Sequence, residues 1–162
     1  MSVAYNAMLH ILAPVLLTLR QVHRPFPSPM NVEELKTRCR TFPAATETQQ
    51  GAPSNVLVYA VGGKTFAYFK TSEPEKWRFS IKVSPDRFLE LTGIPGVKPA
   101  RYMARFHWVT VVDVNAFPES YLSELLECSY RKAFEALSKA ARRAIAEADA
   151  GLTYPGGNSP SA

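Results

Sequence analysis

Long apolar runs, clustered cysteine or histidine, and recognisable catalytic motifs are what this sequence lacks, and each absence removes a class of function. The two cysteines, Cys39 and Cys128, stand far apart with no CxxC or Cys/His spacing, which excludes the usual zinc sites. They read as buried thiols in a reducing compartment, which places the chain in the cytoplasm. The apolar stretch MLHILAPVLLTL is only about a dozen residues long, and a bilayer-spanning helix needs about 20. Pro14 interrupts it and no Lys or Arg precedes it, so it makes a poor signal peptide as well. There is no GxSxG, Walker loop, GxGxxG or HExxH. No catalytic residue, metal site or cofactor is therefore expected, and no internal repeat stands out.

What remains is a basic chain of ordinary globular composition. Its 162 residues are enough for one domain with a proper core, and the apolar fraction of 46% with 20% charged residues suggests neither disorder nor a membrane protein. The net charge is +5. Between Lys64 and Arg105 nine Lys and Arg face only Glu73, Glu75, Asp86 and Glu90, so the middle of the chain carries the whole excess. A polyanionic partner is the function class that such a local excess favours.

Residues 1–29 read as an extension outside the domain, because Pro25, Pro27 and Pro29 favour an extended linker and Met30 opens a new segment. Asn31-Val-Glu-Glu34 fits a capping box, followed by a helix ending near Pro43. A polar loop, ATETQQGAPSN, is expected next. VLVYAV and KTFAYFK flank Gly62-Gly63, a hairpin signal, since two glycines supply the positive φ values of a tight turn. WRFSIKV alternates, with Trp77, Phe79, Ile81 and Val83 on the core side. Ser84-Pro85 starts a short helix that Gly93 ends, IPGVKPA reads as a loop, and residues 107–113 as a strand. From Pro118 to about Ala148 a single long helix is expected, with Leu122, Leu126, Tyr130, Ala133, Leu137, Ala140 and Ala144 lying across the sheet. The domain then spans residues 30–148, with a disordered tail over 149–162. The fold class is α+β, a two-layer sandwich in which helices cover one face of an antiparallel sheet and leave the other face open.

Several of these residues, in this order, resemble the MmcQ/YjbR family. They are Gly62-Gly63-Lys64-Thr65-Phe66-Ala67, Ile81-Lys82, Ser84-Pro85, then Pro99, Arg101, Tyr102, Met103, His107-Trp108, and finally Ser129-Tyr130. The resemblance covers roughly residues 31–145. It implies a CyaY-like fold and a proposed double-wing DNA-binding motif. The family commonly places Asn-Lys shortly before its His-Trp, where this chain has Ala104-Arg105. Frataxin-type iron binding, which that fold could also suggest, relies on an acidic first helix. Here Glu33 and Glu34 are outnumbered by Lys36, Arg38 and Arg40.

The candidate DNA contacts are Lys64, Lys70, Lys76, Arg78 and Lys82 on or beside the hairpins, with Lys98, Arg101 and Arg105 before the last strand. Such side chains contact phosphates rather than specify bases, so weak or non-specific binding by a monomer is expected, away from any membrane. Tyr102, His107, Trp108, Ser129 and Tyr130 are expected to meet in one structural, polar-edged cluster, with Trp108 packed in the core. The alternatives are a protein- or small-ligand-binding module using the same open sheet face, and an enzyme built on His107.

Overall fold

Asn31 and Glu34 close the first helix as the sequence requires. The Asn31 side chain accepts from the Glu34 amide at 2.9 Å, and the Glu34 carboxylate accepts from the Asn31 amide at 2.7 Å. That helix, α1 (Val32–Thr41), turns Leu35 and Cys39 inward. The computed structural model describes residues 31–73 and 78–152. The readings made for residues 1–29, for Lys76 and Trp77, and for the last ten residues lie outside these.

Six strands follow in one antiparallel sheet ordered β1-β2-β3-β4-β6-β5. They are β1 (Ala45–Gln50), β2 (Val56–Val61), β3 (Lys64–Lys70), β4 (Phe79–Lys82), β5 (Val97–Pro99) and β6 (Trp108–Val111). The Gly62-Gly63 hairpin between β2 and β3 forms as expected, with φ of 51° and 75° at the two glycines. Strand β4 also keeps its alternation, burying Phe79 and Ile81.

Two strands arise where loops were expected. ATETQQ is β1, an exposed edge strand whose backbone pairs with β2 from Ala45↔Val61 to Gln50↔Val56. Its side chains are polar because nearly all of them face solvent, so the apolar alternation that marks a strand is missing. Three residues of the IPGVKPA segment form β5, the other edge, where Pro99 is tolerated because an edge strand has a side that needs no donor.

Among the described residues four helices pack on one face of the sheet: α1, α2 (Pro85–Thr92), α3 (Glu119–Glu135) and α4 (Lys139–Leu152). Ser84 precedes α2 with Pro85 in its first turn, as expected, but its hydroxyl makes no capping bond. The expected single C-terminal helix is two. The Leu137 amide bonds back only to the Phe134 carbonyl, and Ser138 restarts the chain, its hydroxyl accepting from the Ala141 amide at 3.2 Å. Leu122, Leu126, Ala133 and Leu137 are buried, whereas Ala140 and Ala144 lie beyond the break and are exposed. The core joins these side chains to Leu35, Tyr59, Phe66, Phe69, Phe79, Ile81, Val109 and Val111. Each large apolar side chain buried there contributes about 1.5–3 kcal/mol.

Candidate functional site

Among the described residues, the opposite face of the sheet carries no helix. Side chains that alternate away from the core form a row across all six strands, Thr48, Val58, Tyr68, Ser80, Thr110 and Lys98, each paired with the next. The middle of that row is the floor of a hollow of about 620 Å³. This lies within the range of roughly 300–1,000 Å³ typical of ligand sites. Ser80 and Thr110 share a hydroxyl hydrogen bond of 2.8 Å in the floor. Beside them the Tyr68 and Trp108 rings meet with centroids 4.8 Å apart.

Two loops distant in sequence make the walls. One is the β1–β2 connection, where Pro53 and Ser54 border the space. Lys70 ties this wall to the sheet by donating from Nζ to the Ser54 carbonyl at 2.9 Å. The other wall is Ala100–Met103, pinned to β6 because the Ala100 amide donates to the Trp108 carbonyl at 2.9 Å. At its crest Tyr102 is 81% exposed and adopts φ 65°, a left-handed backbone that is costly for a bulky residue. The Arg101 guanidinium lies 5.0 Å from the Tyr102 ring centroid.

Lys70, Arg78 and Arg101 line the hollow, and among the described residues no carboxylate does. Lys82 and Lys98 belong to the same face by their pairing with Trp108 and Thr110, and both are exposed. Five of the eight candidate cations thus converge there. Lys64 begins β3 opposite Val61, and Arg105 lies over the Phe106 ring at 4.7 Å; neither lines the hollow. Lys76 falls outside the described residues.

The expected five-residue cluster does not form. Trp108 is only 4% exposed, yet it is buried on the open face under the Ala100–Met103 wall, while Val109 and Val111 take the core side. His107 is not in the strand: it ends a 3₁₀ turn (Ala104–Phe106) at φ 59°, and its ring meets the edge of Phe88 at 5.7 Å. Ser129 and Tyr130 belong to the helical layer. Ser129 Oγ accepts from the Lys82 amide at 2.9 Å and donates to the Phe66 carbonyl at 2.6 Å, bridging β3 and β4 where their direct pairing stops. Tyr130 donates to the Pro43 carbonyl at 2.9 Å and stacks on Phe42. Of the five, only Tyr102 and Trp108 border the hollow.

Several carboxylates on the helical side are engaged. Glu47 accepts from Arg40 Nε and from the Tyr59 hydroxyl, both at 2.6 Å. Those bonds, Arg40's first, hold its carboxyl below the usual carboxylate range. Arg87 bridges Glu90 and Glu124, and Arg38 pairs with Glu127. Among the described residues no three His, Cys, Asp or Glu side chains gather as a metal site would need.

Sequence reasoning missed Tyr68, Ser80, Thr110 and the Pro53–Ser54 wall. The signal for the first three was the alternation of their own strands, which sets them opposite Phe69, Phe79 and Val111.

A family model described as YjbR matches residues 40–132, more than half of the chain and the whole of the hollow. The chain belongs to the YjbR family. Among solved structures, a Deinococcus radiodurans protein, DR2400, with a DUF419 domain, is 29% identical with a TM-score of 0.65, over 74% of this chain and 91% of its own. A Pseudomonas syringae protein shares the fold at 20% identity and a TM-score of 0.55, over 64% of this chain and 99% of its own. No curated protein matches the chain. YjbR membership accounts for the α+β architecture, and the site itself has to be read from its residues.

Proposed function

We propose that this YjbR protein binds DNA non-catalytically through the open face of its sheet, as a monomer in the cytoplasm. The observation that carries the reading is the convergence of Lys70, Arg78 and Arg101 on the hollow, with Lys82 and Lys98 beside them. Lysine and arginine so placed contact phosphates, which sets position rather than sequence. Gly62 of the hairpin turn packs on Leu137 in the helical layer, which favours the sheet face over that hairpin tip as the contact surface. No described helix is long and apolar enough to cross a membrane.

Fluorescence anisotropy with a labelled DNA duplex over a salt series tests the reading. Binding at low salt should weaken steeply as salt rises, because each neutralised phosphate releases its counterions. Changing Lys70, Arg78 and Arg101 together to Ala should lower both the affinity and the salt slope. Absence of any signal at low salt with micromolar protein would sink it.

A further inference from the structure

We infer that the hollow receives a single unpaired nucleotide, its base stacked on Tyr102 and its phosphate held by Arg101 and Lys70. This rests on the nucleic-acid reading of the same face and names the form of strand that the face selects.

Shape gives the first argument. A duplex keeps its bases stacked inside and offers a protein its grooves and phosphates. The hollow, by contrast, is walled on two sides, by the Pro53–Ser54 connection and by Ala100–Met103, and its volume of about 620 Å³ suits one small molecule. A base splayed out of a strand can enter such a space, whereas a base pair within a duplex cannot.

The second argument is Tyr102 itself. A large aromatic that is 81% exposed gains little from packing, and at φ 65° it also pays a backbone cost. The turn that the Met103 amide closes on the Ala100 carbonyl sets that φ, and a tyrosine standing where such a turn favours glycine is a mark of function. An exposed aromatic ring with a guanidinium against it is what single-strand binders use, because every base has a face to stack. Arg101 lies 5.0 Å from that ring, and Lys70 retains donors beyond the one bonded to the Ser54 carbonyl. Below them the Ser80 and Thr110 hydroxyls and the Tyr68 ring give the floor both polar groups and a flat surface.

The test compares a labelled short oligo(dT), its oligo(rU) counterpart and a DNA duplex of equal length at one low salt concentration. Wild type should bind the single strands at least about tenfold more tightly than the duplex. Tyr102→Ala should weaken single-strand binding between about fivefold and about 150-fold, the range for losing one base stack, and move duplex binding by less than about twofold. Tyr102→Phe should keep single-strand affinity, because stacking needs the ring and not the hydroxyl. The exposed position leaves the fold of both variants intact, which a melting curve checks. If wild type binds the duplex as well as the single strands, or if Tyr102→Ala changes neither, the inference fails while the phosphate-binding reading stands. If no nucleic acid binds at all, both fail. The dT and rU arms tell which strand is preferred, through the 2′-hydroxyl.

Discussion

Leu137 lies directly against Gly62. A Cβ added at Gly62 would stand 2.8 Å from Leu137 Cδ2, while one added at the neighbouring Gly63 would meet nothing within 4 Å. The hairpin turn is therefore docked on the segment that joins α3 to α4, and the two glycines do different work. Both have positive φ, so Gly63→Ala should cost about 1–2 kcal/mol from backbone strain alone. Gly62→Ala should cost more, because buried Leu137 must also move. Urea denaturation of the two variants checks the order, and equal losses would show that Leu137 yields freely.

Ser129 replaces a missing rung between β3 and β4. Ser129→Ala leaves the Lys82 amide and the Phe66 carbonyl without their partner, at about 1–3 kcal/mol for each buried group. Tyr130→Phe removes one bond, to the Pro43 carbonyl, and keeps the stack on Phe42, so about 1 kcal/mol is expected. A smaller loss for Ser129→Ala than for Tyr130→Phe would mean that the strands close the gap by themselves.

Glu47 and Tyr59 set opposite pH limits on the junction between α1 and β1. The Glu47 carboxyl is lowered in the folded protein, by the bond from Arg40 first and then by that from Tyr59. Its contribution is present above the ordinary carboxylate value, about 4.5, and is lost as pH falls through the lowered one. The Tyr59 hydroxyl is raised, by burial first and then by the bond to Glu47. Its contribution is full below the ordinary tyrosine value of 10.0 and declines as pH rises past it. In urea midpoints measured against pH, Glu47→Gln should flatten the acid limb and Tyr59→Phe the alkaline limb. An unchanged acid limb in Glu47→Gln would remove Glu47 from the account.

What could be read from the sequence depended on how local its cause was. The capping box at Asn31, the Gly62–Gly63 turn and the alternation of Phe79 with Ile81 are each set by a few adjacent residues, and each appears as expected. Strand β1 escaped because ATETQQ buries almost nothing and owes its form to pairing with β2. The break at Ser138 escaped because the apolar spacing runs on through Leu137, Ala140 and Ala144 without a gap. Trp108 was placed on the wrong face: either alternate set of WVTV could serve a core, and only pairing with β4 assigns Val109 and Val111 to it. The hollow was the least legible of all. Its floor needs β4 beside β6 and its walls come from residues near 53 and near 102, so no window of sequence holds it.

The ion pairs of the helical layer also affect how the molecule meets anything in solution. Arg38, Arg40 and Arg87 each have a carboxylate partner, which leaves the helical side close to neutral at short range. Lys82, Lys98 and Arg101 on the far side are not offset in this way among the described ion pairs, so the charge of the described residues is lopsided along the normal to the sheet. A tumbling molecule that drifts within a Debye length of a polyanion, about 10 Å at 0.1 M salt, is turned by this moment before it touches. On the proposed reading it would arrive with the sheet side first, so that a larger share of collisions would be productive at low ionic strength.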